Sequence, residues 1–343
     1  MLTNCSKYLT FILTFIITIV ALVLSGCVEK DRFSGIIKTE ISDQSGDRIL
    51  TKPVGERVFR HSEFLNPVLL EVSENGIFVL DIPDSSRVSM FDWNFDFVNK
   101  IGKGTGQGPG EFGGLSDFHV SNGTLYFSDA ANALIHLYSS NNEYIRSISL
   151  DSEVPFQVTV LKKKPVIKTG STERFLFVDP QSGELTKGET ISTDDVRYRY
   201  LLQDRILSDN RHIYRIPFFF GLLIKYDEEG KVISARKMVD YSETAIEDQS
   251  RNPEEDPVMV RSDEVDILSV SGAFYDDRFC VLRNNQVENQ KTIDCYRKSD
   301  FEYSFSFYPP ENIRDFKIHK NYFAAIHDTS LSVWEFDNSI ITQ

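Results

Sequence analysis

A chain of 343 residues, 41% hydrophobic and 12% aromatic, has ample material for a large core, and its 26 Phe and 14 Tyr favour strands. With 51 acidic against 37 basic residues the formal net charge is −14. That balance argues against nucleic acid, and against an anionic membrane surface, as an electrostatic partner.

The chain opens with an export signal. Lys7 supplies a thin positive region, and Leu9 to Leu24 is an apolar run interrupted by Thr10, Thr14 and Thr18. It ends in Leu24-Ser25-Gly26-Cys27, small residues before a cysteine. These four residues resemble the lipobox of bacterial lipoproteins. The resemblance implies a signal peptide over 1–26, cleavage before Cys27 and acylation of that cysteine. The competing reading is an uncleaved apolar anchor, since the run is nearly long enough to span a bilayer. Several acyl chains give stable attachment, so the membrane is an expected partner through the anchor. The expected location is the bacterial cell envelope, at the outer membrane, with 27–50 as a polar tether.

From residue 60 onward no helical period is sustained. Short alternating runs are separated by Gly, Asn, Asp and Ser turns, the pattern of an all-β protein. One unit recurs: an apolar or aromatic strand end, a polar turn, then a second strand. Anchored on Phe91, Tyr138, Val178, Tyr226, Tyr296 and Phe336, the copies are spaced 47, 40, 48, 70 and 40 residues apart. Six copies at this period predict a six-bladed β-propeller of four-stranded antiparallel blades over 51–343. The long spacing marks an insertion at 240–266, ten acidic and two basic residues, read as a solvated loop. Blade 6 lacks a fourth strand at the C-terminus, so 56–61 is expected to complete it and remove an open edge.

The stretch KIGKGTGQGPGEFGG, 100 to 114, holds seven glycines. It lacks the Gly-Lys-Ser/Thr of a P-loop. A literal Gly-x-Gly-x-x-Gly at Gly108, Gly110 and Gly113 is followed by a strand, where a dinucleotide fold requires a helix. The loop therefore reads as a crossover between blades, with Gly108 and Gly110 making tight turns and Phe112 plugging the space between blades. Together with LSDFHVSNGTLYFSDAANALIHLYSSNNEYIRSI it resembles the NHL-repeat propellers. With the lipobox, the whole chain resembles the six-bladed propeller lipoproteins common in Bacteroidetes. The resemblance implies a fold and a location, and no reaction.

Asp81, Asp129 and Asp328 each end the second strand of their blade and are read as acceptors of turn N–H groups. Cys280 and Cys295 lie symmetrically about a polar turn, and are expected to bridge a hairpin in an oxidising compartment; the alternative is a buried reduced pair. Phe218, Phe219 and Phe220 stand where other blades have a polar turn. Strand alternation cannot bury all three, so they are candidates for ligand contact. The glycine loop, the insertion and these Phe all belong to one face of the propeller. The six His share no motif, although His119 and His319 both fall on or near innermost strands, and no metal or other cofactor is expected.

These features favour a membrane-tethered, non-catalytic binding or scaffold propeller that takes a peptide, glycan or protein partner on its loop face. The alternative is an envelope hydrolase, lyase or lactonase with a metal-assisted site in the central channel.

Overall fold

The computed structural model describes residues 41–42, 47–84, 86–169, 175–189, 203–219, 221–239, 269–284, 291–337 and 339. The signal region with Cys27, the acidic insertion 240–266 and Phe220 lie outside them.

The described chain forms six antiparallel four-stranded blades in up-and-down order, two of them extended by a short outer parallel strand, a six-bladed β-propeller. The innermost strands, one per blade, are Pro67–Ser73, Leu115–Ser121, Pro155–Leu161, Asp204–Ser208, Ser269–Tyr275 and Asp315–His319. Each of the six repeat anchors sits in a third strand. All six are buried, at 3% exposure or less. The period is thus one buried residue per blade. Each blade hides its faces against its neighbours, so the core is a set of clusters shared by adjacent blades. Phe78, Leu80 and Met90 of blade 1 pack with Phe118, Leu125 and Phe127 of blade 2. Tyr214, Ile216 and Leu223 of blade 4 pack with Phe279, Val281 and Tyr296 of blade 5.

The seam between blades 3 and 4 departs from this rule. Lys168 of blade 3 meets Asp204 of blade 4, which also pairs with the fully buried Arg215. Arg215 in turn reaches the Tyr226 hydroxyl at 3.3 Å. Burial draws the Lys168 pKa down, against the pull of Asp204.

Val54–His61 is the fourth strand of blade 6, pairing antiparallel with Leu331–Phe336 from Leu331↔His61 to Phe336↔Val54. The closing strand was expected over 56–61 and begins slightly earlier. Two short stretches before it also pair with the blades. Ile41–Ser42 pairs parallel with the outer strand of blade 4, and Leu50–Thr51 with that of blade 5. Between them Arg48 makes a two-pronged contact with Asp294, at 3.0 and 3.2 Å, and that carboxylate is wholly buried. The arm covers two outer edges that would otherwise leave unpaired N–H and C=O groups. Cys280 and Cys295 face each other in register on the second and third strands of blade 5 and are joined as a disulfide, S–S 1.97 Å.

Candidate functional site

The central channel holds a pocket of about 310 Å³. It is lined by the last residues of the innermost strands and by the turns that follow them, Asn122 and Asn210 among these. It therefore opens at the end away from the crossovers that enter those strands. The face assigned to the ligand from sequence lies at the other end.

Lys317, Glu71 and His119 sit two residues before the ends of the innermost strands of blades 6, 1 and 2. Equal register on three adjacent blades brings them together. Lys317 Nζ is 3.4 Å and His119 Nδ1 3.8 Å from Glu71 Oε1. Arg205 enters from blade 4 and donates from Nη2 to Asp117 Oδ1 at 3.2 Å. Burial presses the Glu71 pKa upward, but Lys317, His119 and Arg205 outweigh it and hold the carboxyl at about 2. Asp117 goes the other way. Burial raises its pKa and Glu71 adds to the rise, against Arg205 and the Val158 N–H.

Two carboxylates beneath the pocket tie the ring of blades together. Asp117 accepts from Val158 N of blade 3 at 3.0 Å, and Asp315 accepts from Leu70 N of blade 1 at 3.1 Å. Both stand two residues before the Glu71 position in their strands, where each meets a backbone N–H on the channel edge of the next blade. Satisfying these edge groups is required once they leave water. At the rim, the Trp93 indole lies flat over His319 and Tyr322, with ring centroids 4.7 and 5.5 Å away. Burial lowers the His319 pKa, against the attraction of Glu74. Among the described residues no group of three or more His, Cys, Asp or Glu is arranged to hold a metal ion.

The residues singled out from sequence have other settings. Phe219 is buried and Phe218 half-buried. Phe219 thus packs inward, and Phe218 keeps part of its surface exposed. Asp129, fully buried, accepts from Gly113 N at 2.8 Å, Gly114 N at 2.9 Å and Asn132 N at 3.2 Å. Asp81 does the same for Leu65 N and Asn66 N. Asp328 differs: its strand ends at Ile326, and its side chain is 84% exposed and paired with Arg314 at 3.0 Å.

In the glycine loop Phe112 is 1% exposed and packs with residues of blades 1 and 2. Gly110 has φ +82°, and its carbonyl accepts from the Tyr138 hydroxyl. Gly108 does not have a positive φ; its N–H instead donates to Glu111 Oε2 at 2.8 Å, and a side chain there would crowd that carboxylate. Of the pocket residues, sequence reasoning noticed His119 and His319 and missed Glu71, Arg205 and Lys317. Their signal is a charged residue within an innermost strand, beside apolar neighbours such as Leu70, Ile206 and Phe316.

A family model described as 6-bladed beta-propeller (DUF5128) matches residues 61–175. No curated protein matches the chain. Similar solved structures include a Bacteroides fragilis protein described as exported, 15% identical with a TM-score of 0.52, covering 86% of this chain and 93% of that one. The Neurospora crassa Pan2 WD40 domain is 9% identical with a TM-score of 0.51, covering 85% and 98%. A streptogramin B lyase is 8% identical with a TM-score of 0.50, covering 84% and 96%. At these identities the likeness is one of fold.

Proposed function

We propose that this chain is a binding propeller of the bacterial cell envelope, tethered by lipid on Cys27, whose ligand enters the channel pocket. The reading departs from a site on the loop face, because the polar convergence is at the opposite end. The observation that carries it is the meeting of Lys317, Glu71, His119 and Arg205 from four blades around one cavity. A pocket of about 310 Å³ is at the small end of the usual ~300–1,000 Å³ for small-molecule sites. It suits a short peptide end or a single sugar unit of a glycan. The export signal and the described export of the similar Bacteroides fragilis protein support the location.

A thermal-shift screen of the protein against sugars and short peptides tests this, with Ser121→Trp narrowing the pocket at its lining. A compound that raises the melting temperature of the wild type should lose that effect in Ser121→Trp. An equal shift in both proteins places the ligand elsewhere and refutes the reading.

A further inference from the structure

Arginine carries five N–H donors in a planar fork. Among the described residues, Arg205 hydrogen bonds one side chain, Asp117, through Nη2. None of its nitrogens is among the buried polar atoms that lack a partner. Its remaining donors therefore face the water of the pocket it lines. Lys317 Nζ donates to Gly272 O at 3.3 Å and keeps a further N–H. His119 is beyond hydrogen-bond range of Glu71 at 3.8 Å. The nearby acceptors are largely committed. Asp117 serves Arg205 and Val158 N, while Asp315 serves Leu70 N, Ser271 and Phe316 N. Glu71, the carboxylate that lines the pocket beside them, faces Lys317 at 3.4 Å, so the outward donors of Arg205 are the ones left for a ligand.

We propose that the pocket takes the oxyanion of a small hydrophilic ligand, a carboxylate or a phosphate, on the free edge of Arg205 beside Lys317 and His119. This rests on the pocket being the ligand site and names the chemistry it selects. A neutral hydroxyl or carbonyl would offer the Arg205 donors only an uncharged acceptor, a weaker match than an anion. An oxyanion matches the fork geometry of the guanidinium.

Calorimetric titration of the full chain in detergent, with D-glucuronate and with inorganic phosphate, tests this against D-glucose, the neutral counterpart of glucuronate. At least one anion should bind at least ~10-fold more tightly than glucose, and Arg205→Gln should weaken it by ~10- to 100-fold, the range for a hydrogen bond to a charged group. Preference for glucuronate identifies an acidic sugar as the source, and preference for phosphate a phosphorylated ligand. Because Arg205→Gln strands Asp117, the double variant Arg205→Gln/Asp117→Asn removes the ion pair as a unit and should lose anion binding to the same degree. If glucose binds as tightly as both anions, and Ser121→Trp abolishes the binding of all three, the oxyanion is wrong and the pocket stands. Failure of both anions to bind, or binding indifferent to the double variant, overturns the proposal. Anion binding that survives Ser121→Trp overturns the pocket as well.

Discussion

Replacing Asp129 with alanine removes the carboxylate that organises the entry into blade 2. Its oxygens receive Gly113 N, Gly114 N, and both N and Nδ2 of Asn132, and lie 3.2 Å from His136 Nε2, with no exposed surface. Burial pushes its pKa up, but His136 and the donated N–H groups more than offset this, leaving it at about 2 against an ordinary 3.8. At ~1.36 kcal/mol per pKa unit the ionised form contributes roughly 2–3 kcal/mol of stability. Because the folded pKa lies below the unfolded one, this stability is fully present above about pH 5. It disappears as the pH falls from about 4 towards 2. The alanine variant also leaves three loop backbone N–H groups without their acceptor, so the expected loss at pH 7 is about 3–4 kcal/mol. For a domain of this size that lowers Tm by roughly 6–8 °C. Urea unfolding followed by tryptophan fluorescence, at pH 7 and again at pH 3, measures it. The gap between wild type and variant should narrow at the lower pH. Asp328→Ala, on the exposed carboxylate, should stay within about 0.5 kcal/mol of wild type. Equal losses for the two variants, or a gap that ignores pH, would refute this account of Asp129.

Arg48→Ala should leave Asp294 buried and unpaired, costing about 3–5 kcal/mol, visible as a lower urea midpoint and as proteolysis of the N-terminal arm. Reduction of Cys280–Cys295, which closes a 15-residue separation, should cost about 3 kcal/mol, read from the urea midpoint with and without reductant. Gly110→Ala forces a side chain into positive φ, 2.5 Å from the Tyr138 hydroxyl oxygen, and should destabilise by about 1–3 kcal/mol in thermal melts. Cys27→Ala should move the protein from the membrane to the soluble fraction; retention in the membrane would point instead to the apolar run as an uncleaved anchor.

The blade period was readable because each third strand must end in a large buried side chain, and Phe91, Tyr138 and Phe336 repeat that requirement openly. The glycine loop was readable by exclusion, since a strand follows it, and Phe112 occupies the space between blades. The turn aspartates were readable in kind and unreliable in particular. Asp129 is the last residue of its strand and faces loop N–H groups, whereas Asp328 lies two residues beyond the end of its own. A short carboxylate has no reach to span that difference. Alternation governs side chains within a strand, and the segment after Pro217 is no longer one, so it does not decide which of the three Phe faces outward.

By itself the sequence determined the fold class, the number of blades and the closing of the ring by the N-terminal segment. Alternating hydrophobicity and turn chemistry are local, and they recur once per blade. Only the tertiary structure decided the pocket. Glu71, His119, Arg205 and Lys317 come from four strands spread over 247 positions of the chain. They meet because four innermost strands converge on one axis, and Lys317, Glu71 and His119 also share one register position. That coincidence of register is a property of the closed ring, and no window of sequence contains it.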